Sequence, residues 1–213
     1  MTTILLTGFE PFGGAMINPS WEAVRLVASR WDRPERLITA ELPVAFGPTG
    51  ERMRQLLAEH RPDLVVAAGL AGGRAEVTPE RVAINVDDGR IPDNAGDQPI
   101  DQPIVVDGPA AYFSTLPVKA IVAALGEREI PGAVSNSAGT FLCNDVFYVL
   151  MHVIATEYPE TRGGFVHIPH ATEFAPDGKP SLPLATIAEA LETTITVSLT
   201  RVSDLALVGG TEY

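Results

Sequence analysis

The chain has one cysteine in 213 residues, so no disulfide can form within it and the fold must rest on an apolar core. A lone thiol fits a reducing compartment, and a cytoplasmic location is expected. Cations are scarce: 15 lysines and arginines stand against 27 aspartates and glutamates, a net charge of -12. Nucleic-acid backbones and anionic membrane surfaces would repel such a chain, so neither is an expected partner. Long apolar runs are missing too. None approaches the roughly 20 residues of a membrane span. The opening Met1-Thr2-Thr3-Ile4-Leu5-Leu6 lacks the basic start and apolar stretch of a signal peptide, and reads as a first strand. With no internal repeat, charged tail or linker, one domain over residues 1–213 is expected.

What is present is ordinary globular material: 46% hydrophobic and 20% charged residues, enough to bury a sizeable core. Strand-like and helix-like segments alternate, the pattern of an α/β fold. Strands are expected at Ile4–Thr7, Leu37–Leu42, Asp63–Ala68, Val82–Val86, Ile100–Val106, Ala133–Asn136 and Gly164–Ile168. Helical spacing marks Ser20–Trp31, Pro48–His60, Pro117–Arg128, Asp145–Glu157 and Leu184–Thr200. Residues 9–19, 71–79 and 87–103 resist regular structure. Loops after strand ends are where open α/β sheets place their sites.

The chemistry concentrates in Ser137-Ala138-Gly139-Thr140-Phe141-Leu142-Cys143-Asn144-Asp145. A small, flexible approach runs into a helix, which puts Cys143 at or just before the helix N-terminus. The partial positive charge there favours thiolate, the nucleophilic form. Asn144 or Asp145 is a candidate cap. The plainer reading of Cys143 is a buried structural residue.

A thiol nucleophile needs a base, and there are four histidines. His152 is on the same helix as Cys143, about 13 Å along it, and cannot reach the sulfur. His60 ends a helix far from any glycine-rich loop. His167 and His170 remain, in Phe165-Val166-His167-Ile168-Pro169-His170, His167 closing an apolar strand and His170 in the loop beyond. The pair has no partner at a recognised metal-ligand spacing, so no metal is expected. Glu80 is a candidate orienter of the imidazole, with a solvated arginine pair as its alternative. The run Gly69-Leu70-Ala71-Gly72-Gly73-Arg74 lacks both the dinucleotide fingerprint and the Walker lysine, and points to close backbone approach to a small ligand.

Six separated blocks then resemble the pyroglutamyl peptidase I (pyrrolidone-carboxylate peptidase) family. They are Gly8-Phe9-Glu10-Pro11-Phe12-Gly13-Gly14 with Asn18-Pro19-Ser20; Ala71-Gly72-Gly73-Arg74; Glu80-Arg81-Val82-Ala83-Ile84-Asn85; Arg90-Ile91-Pro92-Asp93-Asn94; Gly139-Thr140-Phe141-Leu142-Cys143-Asn144; and His167-Ile168-Pro169. The resemblance implies a three-layer α/β/α sandwich with a mixed, mostly parallel central sheet, a homotetramer and no cofactor. It implies Cys143 as nucleophile, His167 as base and Glu80 as orienter. It implies Phe9, Phe12 and Phe141 around the pyroglutamyl ring of a peptide substrate, with the Cys143 N–H and Arg90 as oxyanion candidates. Such a ring is a neutral lactam, so its pocket should be apolar with a few backbone donors and acceptors. One departure is Leu70, where many members carry glutamine. The rival readings are a catalytically silent binding protein and, on fold analogy alone, a phosphorolytic transferase.

Overall fold

A computed structural model describes residues 1–210; the last three residues of the expected single domain, through Tyr213, lie outside the described residues. Five strands build the central sheet: β1 (Thr3–Phe9), β2 (Arg36–Leu42), β3 (Leu64–Leu70), β4 (Thr78–Pro79) and β7 (Arg162–Ile168). Their spatial order is β2-β1-β3-β7-β4. The first four in that order run parallel and β4 pairs antiparallel with β7, so the sheet is mixed and mostly parallel. Two small pairs accompany it: β5 (Val82–Ile84) with β6 (Ala111–Phe113), and β8 (His170–Ala171) with β9 (Ser181–Leu182).

Period-two alternation sends neighbouring side chains to opposite faces and so makes two cores. Ile4, Leu6, Leu64 and Val66 face one way, against α1 (Pro19–Arg30), α3 (Val118–Gly126) and α5 (Leu184–Thr200). Leu5, Val65 and Phe165 face the other way, against α2 (Pro48–His60) and α4 (Leu142–Glu157). The result is the expected α/β/α sandwich. Among the described residues no helix is long and apolar enough to cross a membrane.

Differences from the sequence reading fall mostly in the irregular stretches. Residues 100–106 form no strand, only an isolated bridge at Gln102; Ile100 and Val106 are exposed, so their apolar character does not signal burial. The segment Ala133–Asn136 holds one isolated bridge, Glu80↔Ser135, with another at Val77↔Gly132 just before it, too sparse for a strand. Val82–Val86 shortens to β5. The helix expected from Asp145 starts three residues earlier, at Leu142, so Cys143 lies inside its first turn. Neither Asn144 nor Asp145 caps it. The N-cap position is Phe141, which offers no side-chain hydrogen bond. Asn144 is fully buried; its side chain accepts from the Ile84 N–H and donates to the Ile84 and Val86 carbonyls, clamping β5 and its continuation onto α4.

Asp145 instead meets a second buried carboxyl, Asp87, from the loop after β5; the two are 3% and 8% exposed. Each keeps a buried oxygen, Asp87 Oδ1 and Asp145 Oδ1, without a donor to accept from. Burial pushes Asp87 up to about 7. Burial first, and then the adjacent Asp87, raise Asp145 well above the carboxylate range, while Arg54 pulls it back down. The folded pair therefore holds a proton that the unfolded chain releases above about pH 3.8. Its contribution to stability is full below that pH and is lost as pH rises toward 7, at up to about 1.4 kcal/mol per pH unit for one proton. Asp145→Asn supplies a permanent donor in place of the proton. Urea denaturation should show the variant gaining on the parent from about pH 4 to 7; a difference independent of pH would contradict the shared proton.

Candidate active site

The parallel strands β1, β3 and β7 end together, and the loops beyond their carboxyl ends enclose a cavity of about 380 Å³. Phe9, Phe12, Val44, Ile91, Phe141 and Leu142 supply much of its wall, with Cys143, His167, His170 and Arg90 at its polar points. All the residues expected at the site except Glu80 line this cavity, and Glu80 stands directly behind His167.

The motif residues hold the walls in place. Asn18 caps α1 by accepting from the Ser20 N–H, and its amide donates to the Glu10 carbonyl. Ser20 Oγ accepts from the Phe9 N–H. Glu10 Oε1 accepts from both the Val44 N–H and the Asn94 amide. Asp93 accepts from the N–H groups of Phe46, Ala95 and Asp97. Three loops are thereby tied together around Phe9, Phe12 and Val44. Phe46 meets Phe141 edge-on at 5.3 Å between ring centres.

Cys143 reaches the sheet because Gly69 has no side chain. A Cβ there would sit 2.8 Å from Cys143 Sγ and 2.7 Å from Phe165 Cζ. Gly69 is in register with His167 on the adjoining strand, so the thiol lies against the sheet beside that histidine. The approach to α4 turns at Gly139, whose φ of 78° disfavours other residues. The Cys143 N–H is among the first-turn amides that a helix leaves without an intrahelical acceptor, at the positive end of the helix dipole.

His167 is 5% exposed and packs edge-on against Phe165. Its Nδ1 lies 2.7 Å from Glu80 Oε1. A carboxylate only accepts, so Nδ1 carries the hydrogen and Nε2 is left as the acceptor. Glu80 is positioned by β4: Thr78 and Pro79 pair with His167 and Val166, and the Glu80 N–H continues to the Phe165 carbonyl. It is fully buried. The alternative sequence reading had it on a solvated surface beside an arginine. It does have an arginine partner, but in the interior: Arg74 Nη1 donates to the same Oε1 at 2.6 Å. The role of Arg74 was missed in the sequence. Its one legible signal was its place in a family block, six residues before Glu80.

Electrostatics correct one expectation. The helix terminus does not make Cys143 a resting thiolate. Burial pushes the thiol up to about 12, the Glu80 charge adds to the rise, and Arg74 opposes it. Burial also pulls His167 below its ordinary value; the hydrogen bond and charge of Glu80 act upward, and Arg74 downward. Both shifts favour the neutral thiol and the neutral imidazole in the free site. His170 also lines the cavity, where its Nε2 would sit 2.7 Å from a Cβ on Gly72. His152 bonds Tyr112 and His60 lies beside Glu59, both away from this cavity. Among the described residues no group of three or more His, Cys, Asp or Glu is arranged to hold a metal ion.

A sequence profile of the pyroglutamyl peptidase family matches residues 2–201. The pyrrolidone-carboxylate peptidase of Streptomyces coelicolor is 59% identical over 192 residues, 90% of this chain and 89% of that one. The Clavibacter michiganensis enzyme of the same name is 51% identical over 99% of both chains. The crystal structure of Bacillus amyloliquefaciens pyroglutamyl peptidase I superposes with a TM-score of 0.92 at 43% identity, covering 96% of this chain and 100% of that one.

Two outcomes follow from the geometry. Gly69→Ala should destabilise the fold by about 1–3 kcal/mol through overpacking and slow alkylation of Cys143; denaturation and iodoacetamide kinetics would measure both. The alkylation rate of the parent protein should keep rising beyond pH 9, the ordinary thiol value, without levelling off there.

Proposed function

The chain belongs to the pyroglutamyl peptidase family of cysteine peptidases, and from that premise we propose that it cleaves the bond after an N-terminal pyroglutamyl residue through a thioester on Cys143. The observation that carries this reading is the chain of contacts Cys143–Gly69–His167–Glu80 at one end of a mostly apolar cavity. A pyroglutamyl ring is small and uncharged. Phe9, Phe12, Val44 and Phe141 bury its apolar edge, and neighbouring backbone groups meet its lactam N–H and C=O.

In the proposed reaction the Cys143 thiol passes its proton to His167 Nε2 as sulfur bonds to the pyroglutamyl carbonyl carbon. Two neutral groups thus become an ion pair only as the bond forms. Glu80 stabilises the imidazolium, and the Cys143 N–H, with Arg90 at the cavity wall, meets the developing oxyanion. His167 returns the proton to the leaving amine, and the C–N bond breaks to leave the thioester. Water, deprotonated by His167, then attacks the thioester and releases pyroglutamate and the thiol. Leu70 lines the cavity where many relatives carry glutamine, so ring recognition here rests more heavily on shape and backbone.

The proposal extends to a homotetramer and a cytoplasmic setting, supported by the family resemblance and by the single cysteine. Light scattering of the purified protein tests the tetramer.

A pyroglutamyl reporter should be hydrolysed in preference to the prolyl and glutamyl equivalents, and without phosphate dependence. Cys143→Ser should lower turnover by on the order of 10³-fold or more with the fold intact. His167→Ala should cost on the order of 10²–10⁴-fold, and Glu80→Gln less than His167→Ala, since it disturbs orientation and charge but leaves the base. Unchanged turnover in Cys143→Ser would remove the nucleophile assignment, and the reverse order of the other two would require a different relay.

A further inference from the structure

Glu80 presents a question that its contact with His167 does not answer. The side chain is fully buried, and a single contact with His167 does not fix its orientation. Arg74 resolves this. Its Nη1 donates to Glu80 Oε1 at 2.6 Å, to the oxygen that also receives His167 Nδ1 at 2.7 Å. The same Nη1 is 2.6 Å from Thr78 Oγ1, and Nη2 donates to the Ser137 carbonyl at 3.0 Å. The guanidinium is therefore held by three separate anchors, at β4, at Glu80 and on the segment leading to Cys143.

Resting on the reading above, we propose that Arg74 is a positioning residue of the active site. It acts through Glu80, holding the carboxylate aimed at His167 Nδ1, so that Nε2 is the nitrogen left to receive the thiol proton. It touches neither substrate nor thiol in this role. It also limits how strongly Glu80 can draw a proton onto the imidazole. The charged and titratable groups around His167 are Glu80 and Arg74 behind it, Cys143 from α4, and Arg90 and His170 on the cavity lining. Of these, Arg74 is the cation bonded to the carboxylate that His167 uses.

The consequence has a sign. Without the guanidinium, a cation that opposes proton uptake by His167 is gone, so the imidazole binds a proton more tightly. The acid limb of kcat/KM reports proton uptake by His167 and should move to higher pH, by at least about one unit. A purely structural role would lower activity evenly and leave the limb in place.

The experiment compares parent, Arg74→Met, Arg74→Gln and Arg74→Lys as purified full-length proteins, with circular dichroism to check folding. The Arg74 side chain is about a third exposed, 32%, so replacing it does not cavitate a core. The pH profile of kcat/KM on a pyroglutamyl reporter is recorded for each. Proton NMR then follows the His167 Nδ1–H resonance and its titration without substrate. The inference expects an upward shift of the acid limb and of the His167 titration in Met and Gln, with Lys restoring most of it. Gln keeps a hydrogen-bond donor but no charge, and stands in if Met does not fold. An unshifted His167 titration in the neutral variants would overturn the inference. Because that readout needs no turnover, its failure is separate from failure of the peptidase reading, which Cys143→Ser decides.

Discussion

The burial of one carboxylate governs this structure. Glu80 has no contact with solvent, and an ion in that position is tolerated only with close, well-directed partners. Both partners come from elsewhere in the chain and meet on a single oxygen. Arg74 arrives from the loop after β3, and His167 from the end of β7. The short antiparallel strand β4 is what brings Glu80 to them, since its pairing with Val166 and His167 sets the register. A one-residue slip would turn the carboxylate to the opposite face and leave it among apolar side chains.

The second constraint is steric. The thiol of Cys143 occupies the space that a side chain at position 69 would fill, so an absent Cβ lets helix α4 lean on the sheet next to His167. Asn144 then locks that helix to the β5 segment through three hydrogen bonds, and Asp145 meets the buried carboxyl of Asp87 from the adjoining loop. Three consecutive residues thus divide the work: one faces the cavity and the next two hold it in place. Burial pushes the thiol up and pulls the imidazole down, so both shifts favour the neutral forms at rest.

Much of this was legible in the sequence, and the exceptions have physical reasons. The apolar run at 64–68 and the periodicity of Leu184–Thr200 carry their own signal, because strand and helix burial repeat at fixed spacing. Helix geometry alone removed His152 from consideration. The choice of His167 and the part given to Glu80 came from family resemblance, because their meeting depends on a pairing between residues 87 positions apart. Arg74 went unread for the same reason: a side chain bridging Thr78, Glu80 and Ser137 leaves no periodic trace. At 100–106 the error ran the other way, where apolar residues on an exposed loop imitated a strand. The thiolate reading of Cys143 weighs only the helix dipole, worth about 0.3–1 kcal/mol at ordinary sites, whereas burial and the Glu80 charge push the half-buried thiol up.

The account's central claim is that acyl transfer passes through Cys143. Its most direct test is to quench the enzyme in acid during turnover of a pyroglutamyl ester and read the mass of the intact and digested protein. A mass gain of one pyroglutamyl group, located on the peptide containing Cys143 and released by hydroxylamine, is the predicted result. Rapid turnover with the Cys143 peptide unmodified, or with the acyl group on another residue, would contradict it.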